Sequence, residues 1–101
     1  MMKLIRDNIP ELLQANGQTI NYAAIQNNEL FYSLLREKFV EEVNEYLASD
    51  DSLEELADIQ LVINYLVATR REDFEDIYTQ KLQNYGAFEN RFIGFFEDNP
   101  Q

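Results

Sequence analysis

The chain has 101 residues, with 8 Lys and Arg against 19 Asp and Glu, a formal net charge of -11, no Cys and no His. A chain of that length makes one domain, residues 1–101, with a modest core that self-association would help to cover. The missing side chains exclude disulfides, thiolate zinc sites, imidazole ligands and Ser-His or Cys-His catalysis, and the charge excludes general binding to nucleic-acid backbone, which needs a basic surface.

The start, Met1-Met2-Lys3-Leu4-Ile5-Arg6-Asp7, has no long apolar run and no small-residue cleavage site, so no secretory signal is expected. Pro10 suits the first turn of a short helix through Asn16, which Gly17 ends. Gln18 to Gln26 carries Thr19, Ile20 and Tyr22 without helical spacing and reads as extended or irregular. A long helix is predicted from about Asn28 to Leu47, a second from about Ser52 to Arg70, and a third from about Glu72 to Tyr85. That third helix has Phe74, Ile77, Tyr78, Lys81 and Tyr85 at helical spacing and stops at Gly86. The tail from Ala87 to Phe96 is too aromatic for a free linker and is expected to pack on the body or on a second subunit. The most apolar segment, Ile59 to Ala68, is too short for a bilayer and is broken by Gln60 and Asn64, so no membrane partner is expected. A cytoplasmic protein is the natural reading. The fold class is therefore all-α, an antiparallel helical bundle completed by oligomerisation.

The acid is unevenly spread. From Phe39 to Thr69 there is no Lys or Arg, while eight acids lie between Glu41 and Asp58. Four of them, Glu42, Glu45, Glu55 and Asp58, stand in mirror symmetry about residue 50. The members of each pair are three apart, so they share a helix face about 4.5 Å apart in height. In two antiparallel helices Glu45 is level with Glu55, and Glu42 with Asp58. Each pair also continues an apolar stripe: Phe31, Leu35, Lys38, Glu42, Glu45 on one helix and Glu55, Asp58, Val62, Tyr65, Thr69 on the next.

Such a box has the makings of a hard-cation site for Mg²⁺, Mn²⁺ or Ca²⁺. The competing reading is a solvated acidic face, where like charges three or four apart cost only about 0.2 to 0.5 kcal/mol. Glu55 also fits a capping box with Ser52. Magnitudes separate the two readings. Carboxylates about 4 Å apart at an effective dielectric of about 20 repel by roughly 4 kcal/mol, which is large against a folding stability of about 5 to 15 kcal/mol. A true box is metal-filled or partly protonated.

Glu-Glu-x-x-Glu at 41–45 followed by Glu-x-x-Asp at 55–58, on consecutive helices, resembles the all-α nucleoside triphosphate pyrophosphohydrolases, the MazG-like superfamily that includes phosphoribosyl-ATP pyrophosphohydrolase. The opening Lys3-Leu4-Ile5-Arg6-Asp7-Asn8-Ile9-Pro10 is similar to that of the small phosphoribosyl-ATP pyrophosphohydrolase-like members, which usually carry Lys where this chain has Asn8. Lys81, Gly86-Ala87-Phe88-Glu89 and Arg91 are similar as well, so the resemblance covers nearly the whole chain.

The resemblance implies Mg²⁺, with Mn²⁺ as a possible substitute, on Glu42, Glu45, Glu55 and Asp58. It also implies hydrolysis between the α and β phosphates of a nucleoside triphosphate, in a homodimer or homotetramer that clears aberrant nucleotides, with phosphoribosyl-ATP as another substrate. Glu41 is the candidate for orienting or deprotonating the attacking water. Lys38, one turn before Glu42, is placed to meet a phosphate or simply to pair with the acids. Lys3, Arg6, Lys81 and Arg91 match charged positions of the family's flanking motifs. A non-enzymatic acidic helical module that binds a protein partner is the alternative.

Overall fold

The computed structural model describes residues 2–70 and 73–97, and among them it holds four helices and no strand: α1 (Ile9–Ala15), α2 (Asn28–Ala48), α3 (Leu53–Arg70) and α4 (Phe74–Tyr85). The all-α class follows directly. The first three helices lie within one residue of their expected bounds and the fourth ends at Tyr85 as expected, while its expected start, Glu72, lies outside the described residues. The chain divides into two compact units, Met1–Arg71 and Glu72–Gln101.

Local chemistry sets the helix ends of the first unit. Pro10 occupies the first turn of α1, and Gly17, with φ 78°, turns the chain away as its N–H donates to the Gln14 carbonyl. Residues 18–27 form no regular element. Asn27 then caps α2: its side-chain oxygen accepts the Leu30 N–H at 3.0 Å.

Helices α2 and α3 pack as an antiparallel hairpin. Phe31 near the start of α2 meets Tyr65 near the end of α3 edge to face, with centroids 6.4 Å apart. Arg70 lies 5.7 Å from the Tyr32 ring and donates to its hydroxyl at 3.4 Å. The buried apolar side chains among the described residues are Leu34, Leu35 and Val62. Leu35 and Val62 belong to the two facing stripes. Leu34 does not; with Leu30 it lies on a second face of α2, and both line an open cavity together with Leu4 of the N-terminal segment.

The second unit holds α4 and the segment after it. Gly86, φ 78°, ends the helix with its N–H on the Leu82 carbonyl at 2.8 Å. Phe74 and Tyr78 stack at a tilt, 6.1 Å apart. No α4 residue is buried, and Phe88, Phe92, Phe95 and Phe96 are exposed.

The hairpin core is thin, since Val40, Leu47, Leu53 and Leu56 remain exposed beside it. Leu35→Ala should lower unfolding free energy by about 2 to 4 kcal/mol, and Leu47→Ala should change it by less than about 0.5 kcal/mol, both read from urea denaturation. An equal loss at Leu47 would show that another copy of the chain covers it.

Candidate metal centre

The turn between α2 and α3 decides where Glu55 points. Ser49 Oγ donates to the Tyr46 carbonyl at 2.7 Å and accepts the Ser52 N–H at 3.3 Å. Ser52 Oγ in turn accepts the Glu55 N–H at 3.4 Å, so Ser52 caps α3. In a reciprocal capping box the Glu55 carboxylate would take the Ser52 N–H. Ser49 already holds that N–H, and the Glu55 carboxylate turns inward instead. Asp51 closes the turn in the left-handed region, φ 58°.

Glu55 there joins Glu42 and Glu45. One carboxylate oxygen from each of the three lies within 4.8 Å of the others. Glu42 is only 6 % exposed and is the one buried charged residue among those described. Its Oε1 lies 3.4 Å from Lys38 Nζ. Its Oε2, like Glu55 Oε2, is buried without a hydrogen-bond partner. Burial pushes the Glu42 carboxyl above the ordinary carboxylate range, the neighbouring Glu45 pushes it further, and Lys38 offsets part of this. Helix fields add to the asymmetry. Glu45 sits in the last turn of α2, at the negative end of its dipole, with no basic residue in that turn; Glu54 and Glu55 sit in the favourable first turn of α3.

Asp58 stands apart from this trio, although it lies on the same face of α3 one turn beyond Glu55. Its Oδ1 accepts from Arg6 Nη1 at 3.0 Å. Lys3 Nζ donates to Glu41 Oε1 at 2.8 Å, and Lys38 Nζ approaches the same oxygen at 3.6 Å. The hydrogen bond from Lys3, with the charge of Lys38, holds the Glu41 carboxyl below its ordinary range, and Glu41 raises Lys3 in return. The structure thus gathers three of the four expected ligands, with Asp58, Glu41, Lys38, Lys3 and Arg6 around them. Lys81 and Arg91 belong to the second unit, where Lys81 Nζ lies 5.8 Å from the Tyr85 ring centroid and the Arg91 N–H donates to the Phe88 carbonyl. Asn8 precedes α1 and makes no side-chain cap bond.

Chemically, the centre offers oxygen alone. Two buried oxygens lack partners, and three carboxylates converge where one is buried. Such a set suits a hard divalent cation, and it has no soft or imidazole donor that would favour zinc. Beside it, an open cavity of about 570 Å³ runs between the N-terminal segment and α2, lined in part by Leu4, Leu30, Leu34, Lys38 and Glu41.

A carboxyl whose folded pKa lies above its unfolded value binds protons on folding, so its contribution to stability falls as pH rises from about 4.3 through that folded value. The depressed Glu41 carboxyl acts on the other side, losing stability as pH falls below about 4.3. Metal-free Glu42→Gln should therefore be more stable than the natural chain at neutral pH, and the gap should close on acidification toward about pH 4. Urea denaturation at several pH values in the presence of a chelator measures this.

Comparison with models of known protein families, with curated proteins and with solved structures finds no match for this chain, so the resemblance of its acid motif rests on the residues that carry it.

Proposed function

We propose that the chain is a Mg²⁺-dependent nucleoside triphosphate pyrophosphohydrolase that releases a nucleoside monophosphate and pyrophosphate. The observation that carries the reading is the orphaned pair of oxygens, Glu42 Oε2 and Glu55 Oε2, in a cluster of three carboxylates. Uncompensated buried acceptors at a like-charge cluster are costly, and a divalent cation relieves both costs together. Glu42, Glu45 and Glu55 would hold the ion, which when bound neutralises phosphate charge and acidifies a coordinated water.

The surrounding residues support the phosphate part of the reading. Lys38 touches Glu42 and also lines the cavity, so one ammonium group serves both the metal centre and the space beside it. That cavity falls within the roughly 300 to 1,000 Å³ of small-molecule sites. A nucleotide lying there would set its phosphates against Lys38 and Lys3, which line it, and its body along Leu4, Leu30 and Leu34, with Arg6 on the same N-terminal segment as a further phosphate-binding candidate. Glu41, kept ionised by two lysines, is a weak proton acceptor, which favours orienting a water over deprotonating it. The resemblance adds Lys81 and Arg91 as further phosphate-binding candidates. On this reading the protein works in the cytoplasm as a homodimer or homotetramer; no helix among the described residues is long and apolar enough to cross a membrane. Aberrant nucleoside triphosphates are the proposed substrates, with phosphoribosyl-ATP as the alternative.

A second reading, a non-enzymatic acidic module that binds a protein, is favoured by the exposed rings of Phe88, Phe92, Phe95 and Phe96. Pyrophosphate release across a panel of nucleotides with Mg²⁺ separates the two: an active chain supports the hydrolase, and silence over the whole panel overturns it. Glu45→Gln and Glu55→Gln, on different helices, should each abolish most of the release, and the double variant should lose little more, because groups acting as a unit are non-additive. Glu54→Gln, about 100° round the helix from Glu55, should stay active.

Mg²⁺ or Mn²⁺ at a hundredfold excess over its dissociation constant should also raise unfolding free energy by about 2.7 kcal/mol. Thermal melts with and without the ion measure the shift, and an unchanged Tm at millimolar Mg²⁺ would favour the solvated acidic face.

A further inference from the structure

Arg6 pairs with the one expected ligand that lies outside the carboxylate cluster. Glu55 and Asp58 are three apart on α3 and share a face, yet Asp58 is paired with Arg6 at 3.0 Å while Glu55 joins Glu42 and Glu45. The Arg6 and Asp58 side chains are 64 % and 34 % exposed, which makes their pair a weak, solvent-screened one. A second pair, Lys3 with Glu41 at 2.8 Å, holds the same segment against α2. The centre itself contains the buried Glu42 carboxylate, whose Oε2 has no partner.

We propose that the N-terminal segment is a latch on the metal centre: Arg6 holds Asp58 in reserve, and a divalent cation draws Asp58 to Glu42, Glu45 and Glu55 in exchange for Arg6. This rests on the metal-binding reading above. The exchange is favourable because the ion gains a fourth carboxylate at the cost of a screened surface pair, and attraction to a divalent charge exceeds attraction to a monovalent one at equal distance. It also has a direction. Only after the ion has taken Asp58 does the Arg6 guanidinium become free beside it, positioned to meet an anionic phosphate. Binding is then ordered, cation before polyphosphate, and Arg6 is a positioning residue for Asp58 before the cation binds.

Mn²⁺ titration of the full chain, followed through the electron paramagnetic resonance signal of the free ion, tests this without any substrate. Arg6→Gln should bind Mn²⁺ roughly two- to fivefold more tightly, the range set by a screened surface pair. Asp58→Asn should bind it more weakly. In the Asp58→Asn background Arg6→Gln should change nothing, since the latch acts only through Asp58. Equal tightening in both backgrounds would mean that Arg6 acts through its general field and would overturn the latch, as would unchanged or weaker binding in Arg6→Gln alone. A natural chain that fails to bind Mn²⁺ overturns the metal reading and the latch together, so the two failures are distinct. Mg²⁺ added to the natural chain should also accelerate solvent exchange of the Arg6 Nη protons, one of which Asp58 accepts, seen by NMR; an unchanged or slower exchange would overturn the release of Arg6.

Discussion

The organisation of the first unit follows from one electrostatic constraint: the hairpin of α2 and α3 generates acid at its closed end and carries nothing there to balance it. No Lys or Arg occurs between Phe39 and Thr69. The countercharge must therefore come from Lys38, one residue before that stretch, and from Lys3 and Arg6 more than thirty residues away. The ion pairs found are of this kind, Lys38 with Glu41 and Glu42, Lys3 with Glu41, Arg6 with Asp58. Charge balance thus explains why an N-terminal segment with little structure of its own lies against α2.

The same constraint explains the division of labour among the acids. Glu41 and Asp58 lie on the rim, paired with Lys3 and Arg6. Those that packing and the serine turn draw inward, Glu42 and Glu55, keep oxygens without partners. Depressed and elevated carboxyls therefore sit side by side in sequence, Glu41 low and Glu42 high. Their difference comes from the helix faces they occupy rather than from residue type.

Much of this was legible in the sequence because helical spacing is local information. The stripes through Leu35, Glu42 and Val62 identify residues that are buried, and the shared faces of Glu42 with Glu45 and of Glu55 with the inward side of α3 follow from steps of three and four. What spacing does not contain is competition among partners. Asp58 fits its stripe, but a guanidinium from far along the chain takes it. Glu55 fits a capping box, but Ser49 takes the Ser52 N–H that would have used its carboxylate; the pattern Ser49-x-x-Ser52 was the available signal. Leu34 is off the stripe and is buried all the same, because its face of α2 lies beside the N-terminal segment, and no periodicity within a helix reports what an irregular segment covers.

The position of the turn has a mechanical consequence. The attractive contacts of the hairpin, Phe31 with Tyr65 and Tyr32 with Arg70, lie at its open end, while the repelling carboxylates lie where Ser49, Asp50, Asp51 and Ser52 join the two helices covalently. A loop this short keeps its ends close at little entropic cost. The four-residue turn acts as a hinge pin: however strongly the carboxylates repel, they stay within a few ångströms of one another, so the centre remains assembled without relying on the cation to bring the helices together. Cleaving the chain between Asp50 and Asp51 would preserve every side chain and remove that pin, and the ion would then have to hold together what the backbone now holds.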